Sequence, residues 1–68
     1  MTQNIYVFVR GGTVQGVRAD GVDPENAPQV HVIDYDNARA EGRDDEEYEG
    51  NICGMTFDEI EKATVGIW

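Results

Sequence analysis

The clearest pattern in the chain is the alternation from Asn4 to Arg10 (NIYVFVR), where Ile5, Val7 and Val9 fall on one side of an extended backbone and Tyr6 and Phe8 on the other. Both sides are apolar, which predicts a strand that is central or covered on both faces. Gly11-Gly12 follows at once, and two glycines supply the positive φ of a two-residue hairpin turn, so Thr13 to Arg18 is expected to return antiparallel. In that return segment Val14 and Val17 are three apart instead of two, with Gln15-Gly16 between them. The irregular spacing predicts a bulge at Gly16 or a strand that ends early.

Met1 to Gln3 is a start open to fraying, and Ala19 to Gln29 (ADGVDPENAPQ) has the composition of a loop, with Pro24 placed to open a single helical turn at Glu25-Asn26-Ala27. Val30 to Tyr35 resumes the alternation, with Val30 and Val32 on one side and His31, Ile33 and Tyr35 on the other, and Asp36-Asn37 is expected to end this third strand. Ala38 to Gly50 (ARAEGRDDEEYEG) has no apolar periodicity. It predicts an acidic loop, 38–54, with at most a helical turn through Asp44–Glu49, since like charges at spacings of three and four oppose a longer helix. Thr56-Phe57-Asp58-Glu59 is a capping box, with Met55 and Ile60 at the positions of a hydrophobic staple. The helix is expected from Phe57 to about Val65, with Phe57, Ile60 and Thr64 on its inner face and Gly66 at its end. Ile67 and Trp68 then fold back on the core or form a short strand with Val65. The pattern predicts a single small α+β domain over residues 1–68: a three-stranded, mostly antiparallel sheet with a C-terminal helix packed on one face.

Charge changes this picture more than composition does. The 68 residues carry 14 acidic and 5 basic side chains, a net of −9. Residues 1–33 are nearly neutral, whereas residues 34–61 hold eleven acidic side chains against Arg39 and Arg43. One cysteine, Cys53, allows no internal disulfide, and neither a basic-then-apolar start nor a long apolar run is present. These features point to a cytoplasmic protein with no signal peptide or membrane span, marginal in stability because so short a chain buries only roughly 60% of its unfolded surface.

Candidate chemistry is sparse. Asp34-Tyr35-Asp36-Asn37 begins like a calcium loop, but Ala38 stands where an oxygen ligand is needed and Arg39 where a glycine is needed. His31 has no second histidine to share a metal, so a place on a sheet face is the plainer reading; Cys53 has no basic neighbour to activate it. Gly11-Gly12 lies between strands and not at a helix start, which makes it a turn and not a phosphate cradle. No catalytic constellation, cofactor or metal site is expected.

The acidity bears on partners. Direct nucleic-acid binding is disfavoured, because its affinity comes from cations that displace counterions. The reverse is attractive: carboxylates at Asp34, Asp36, Glu41, Asp44, Asp45, Glu46, Glu47 and Glu49, with Tyr48 as an aromatic anchor, are placed to imitate duplex phosphates and occupy the basic surface of a nucleic-acid-binding protein. Solubility is the plainer explanation of the same charge.

The residues IYVFVRGGTVQGVRAD followed by VHVIDYDNA resemble a group of small uncharacterised acidic proteins of bacteria and their phages and plasmids. In size and charge the chain is similar to inhibitors that phages direct against host defence nucleases, anti-CRISPR proteins among them. The resemblance itself implies no function; the acidic surface, with that similarity in size and charge, is the ground for expecting a non-enzymatic inhibitor that blocks a basic nucleic-acid-binding partner such as a host defence nuclease complex. The alternative expectation is a structural or assembly module, a homodimer joined through the aromatic face of its sheet.

Overall fold

A computed structural model describes residues 2–23 and 25–68; Pro24, expected to open a helical turn, and Met1 lie outside the described residues. Glu25 to Ala27 form a bend and not a helical turn, and Gln3 is tied down, its carbonyl accepting from the Gln29 N–H at 2.9 Å.

β1 (Asn4–Arg10) and β2 (Thr13–Ala19) form the expected hairpin, with Gly11 and Gly12 at φ of 64° and 75° as a tight primed turn demands. The pairing places Val9 opposite Val14 and Phe8 opposite Gly16, so the register slips by one residue at Gln15-Gly16. That bulge resolves the irregular valine spacing, because it returns Val14 and Val17 to the same side of the sheet.

β3 (Gln29–Asp34) departs from the expected topology. It lies beside β1 and parallel to it, and a short β4 (Val65–Gly66) pairs antiparallel with the far side of β2, giving a mixed four-stranded sheet in the order β3-β1-β2-β4. Three antiparallel strands are therefore corrected to four in a mixed sheet. The reason lies in the 20–28 segment: β2 ends beside the start of β1, and the chain passes β1 at that end before turning into β3.

The acidic stretch is helical, where a loop was expected. α1 (Tyr35–Ala40) starts where β3 stops, with the Asp34 side chain accepting from the Asp36 N–H. α2 (Asp45–Cys53) carries Asp45, Glu46 and Glu47 in its first turn, where carboxylates complement the helix dipole, and ends at Gly54 with φ of 73°. α3 (Phe57–Ala63) has the expected capping box at Thr56, with both reciprocal bonds to Glu59, but it stops at Thr64, short of Val65.

All three helices cover one face of the sheet. Tyr6, Phe8, Ile33, Tyr35, Ala38, Tyr48 and Ile60 form the buried core, with Cys53 and Met55 packed against it. The aromatic side of β1 is therefore covered, and it is not the surface through which two copies could meet. On the opposite side no helix of the described residues packs; Ala19 is buried there, Ile5, Val7 and Val17 are half-buried, and exposure rises toward the edge strands. Across it run two rungs of aliphatic side chains, Val30–Ile5–Ala19–Val65 and Val32–Val7–Val17–Ile67, the last joined by an Ile67 N–H to Val17 carbonyl bond of 2.9 Å. Val30, Val32, Val65 and Ile67 are each more than half exposed. β1 is central, as expected, between β3 and β2; its aromatic face is buried and its aliphatic face is half-buried.

Candidate functional site

Hairpin alternation turns Arg10 and Arg18 to the same side as Tyr6 and Phe8, toward the helices. The Arg10 guanidinium donates to the Asp45 carboxylate at 2.9 Å and lies 4.5 Å over the Tyr35 ring, tying the first turn of α2 to the sheet. Arg18 donates to the Thr64 hydroxyl at 2.9 Å and to the carbonyls of Thr64 and Glu61, so it satisfies the end of α3. α1 is held by an acid instead. The Asp36 carboxylate accepts from the N–H groups of Gly11 and Gly12 at 3.0 and 2.8 Å, which hold its pKa below the ordinary value. One cation, one turn and a second cation of the hairpin thus fix one helix each.

Glu49 joins the helices to one another. It is buried at 3% exposure, accepts the Tyr35 hydroxyl on one oxygen and the Phe57 N–H on the other at 2.7 Å, and so links α1, α2 and the start of α3. Burial, then the bond to Glu49, pushes the Tyr35 phenol well above its usual pKa. Phe8, Arg10, Gln15, Tyr35, Asp45, Glu49 and Phe57 line a cleft of about 400 Å³ at this junction.

The nine residues singled out for partner binding divide into two groups. Asp34 caps α1, Asp36 holds the hairpin turn and Asp45 pairs with Arg10. Tyr48 and Glu49, expected on the partner-facing surface, are buried, because α2 sets those two positions against the core. Glu41, Asp44, Glu46 and Glu47 are exposed, Glu41 forming a 3.4 Å ion pair with Arg43. Arg43 and Asp44 to Glu47 line an open groove at the start of α2. Among the described residues, the carboxylates of Asp44, Glu46, Glu47, Asp58 and Glu61 make no hydrogen bond or ion pair.

Sequence reasoning missed the structural work of Arg10, Arg18 and Asp36. The signal for the two arginines was present, since alternation alone puts them on the aromatic side of the hairpin. Nothing local marked Asp36, whose partners are some 25 residues away.

Other chemistry is limited. His31 stacks on Tyr6, with ring centroids 5.0 Å apart, and its Nε2 lies 3.0 Å from the Asn4 side-chain oxygen. Burial, then the Glu49 charge, pushes the Cys53 thiol up in pKa and keeps it protonated. No group of three or more His, Cys, Asp or Glu side chains among the described residues could hold a metal ion. No helix among them is long and apolar enough to cross a membrane. No family model, curated protein or solved structure matches this chain.

Proposed function

We propose that this chain is a non-enzymatic acidic binding protein that presents its helical layer to a basic, nucleic-acid-binding surface on a partner and keeps nucleic acid from it. The observation that carries this reading is the division of labour among the charges. Of the five cations, Arg10, Arg18 and Arg43 are engaged inside the molecule, whereas five carboxylates of α2, α3 and the turn before α2 have no counter-charge. Their field is left to act outward, where it accelerates association with a basic surface at low ionic strength. The surface is narrower than the sequence implied: it rests on Asp44, Glu46 and Glu47, with the unpaired Asp58 and Glu61 of α3, and not on Tyr48 or Glu49.

The test is affinity capture from host lysate with the intact protein and with a triple variant, Asp44→Asn, Glu46→Gln and Glu47→Gln, each washed at rising salt. A nucleic-acid-binding protein held by the intact chain, released by salt and absent with the variant is the expected result. Capture that the variant leaves unchanged, or no capture by either, would remove these carboxylates from the function.

A further inference from the structure

We infer that the open side of the sheet is the seat of a second copy of this chain, forming a two-fold symmetric sandwich with the helical layers outermost. This inference does not depend on the acidic-partner reading, since it concerns the opposite face of the molecule.

The patch is continuous across all four strands. Val32, Val7, Val17 and Ile67 form one uninterrupted rung, and Val30 and Val65 close the ends of the next. Single exposed valines are ordinary on a protein surface, but an aliphatic face spanning a whole sheet is not. The two rungs hold no charged side chain. The one carboxylate whose strand position points to this side, Asp34, is turned back to cap α1.

That distribution names the occupant. A charged partner would find nothing here to pair with, whereas a second copy offers the same uncharged, β-branched surface, self-complementary about a two-fold axis. The net charge of −9 does not oppose it. Two sheets pack about 10 Å apart and each helical layer lies a further ~10 Å out, so the acidic layers of two copies stand roughly 30 Å apart. That is several times the screening length of about 8 Å at physiological salt.

Area sets the strength. Seven residues on each of β1 and β2, six on β3 and two on β4, at ~3.3 Å per residue and ~4.8 Å between strands, give a face of roughly 350 Å² in plan per copy. Twice that falls short of the roughly 1,000 Å² of a stable interface, so the dimer is weak, transient and concentration-dependent.

Sedimentation equilibrium of the full chain over a range of concentrations, at low and at high salt, tests the inference together with Val32→Lys and Val65→Lys. These positions lie on opposite edge strands and are 53% and 61% exposed, so lysine is accommodated in the monomer at each; far-UV circular dichroism checks this, and either variant suffices if the other misfolds. The expected result is a monomer–dimer equilibrium that high salt does not weaken and that each folded lysine variant weakens at least about tenfold, because two ammonium groups enter an apolar interface without partners. A monomer at every concentration, a dimer that salt dissociates, or a dimer that both lysines leave intact would each overturn it. The triple variant of the acidic surface should dimerise like the parent chain, which separates failure of one reading from failure of the other.

Discussion

On β3 two neighbouring residues live in different solvents: Ile33 is 0% exposed and Val32 is 53% exposed. They represent two faces built from alternate residues of the same strands. The covered face is aromatic and mixed, with Tyr6, Phe8 and His31 beside two arginines; the open face is aliphatic and uncharged. Hydrophobicity alone therefore does not decide which side of a sheet becomes the core. What the covered side adds to its larger aromatic side chains is a set of polar handles. Arg10, Arg18 and the Gly11-Gly12 turn offer specific partners to Asp45, to the end of α3 and to Asp36, so the helices have somewhere to attach. The aliphatic face offers only area.

The comparison breaks first at Val32 and Ile33. Ile33→Ala is expected to cost roughly 2 to 5 kcal/mol by opening a cavity in the core, whereas Val32→Ala in dilute monomer is expected to change stability by less than about 0.5 kcal/mol. Urea unfolding of the two variants measures the difference, and equal losses would mean that the open face is packed in the monomer after all. A smaller effect is expected where the helices are joined. Glu49→Ala leaves the buried Tyr35 hydroxyl without its acceptor and the Phe57 N–H unpaired, at a cost of about 1 to 3 kcal/mol. Glu46→Ala, one turn away in the open, should lose no more than the few tenths of a kcal/mol of its helix-dipole contact, and a loss matching that of Glu49→Ala would point to charge at the start of α2 instead of the junction.

Thr56→Ala should cost about 1 kcal/mol through the lost cap of α3. Thermal denaturation reads it, and an unchanged midpoint would show that the capping box adds nothing to the packing of Ile60. The subtlest effect is one of pH. The Gly11 and then the Gly12 N–H groups lower the pKa of Asp36 in the folded chain, so the unfolded chain takes up that proton first. The stability from this contact is fully present above the ordinary aspartate value of about 3.9 and is lost as pH falls through the lower folded value. The gap in urea midpoint between the parent chain and Asp36→Asn should accordingly be open at neutral pH and close in acid. A gap that does not vary with pH would rule out a charge-dependent turn contact.

Legibility followed the range of the interaction. The hairpin, its bulge and the α3 cap depend on residues within a few positions of one another, and the alternation of Ile5 to Val9, the valine spacing and the Thr56–Glu59 pair expressed them in full. α2 was obscured because its buried face is made of Tyr48 and a carboxylate, Glu49, so no apolar periodicity marked it. The 34–49 carboxylates looked equivalent for the same reason: a capping Asp34, a turn-holding Asp36 and an exposed Glu47 differ only in what lies across from them.

The sequence by itself determined the strands, the tight turn, the last helix and the confinement of negative charge to the second half, because each follows from side-chain chemistry along a short run of backbone. Only the tertiary structure decided that β3 lies parallel to β1, that α1 and α2 form, which carboxylates remain outward and which face of the sheet stays open. Those outcomes rest on contacts between residues far apart in the chain, such as Gly12 with Asp36 and Arg10 with Asp45, and no local pattern encodes the partner of a distant group.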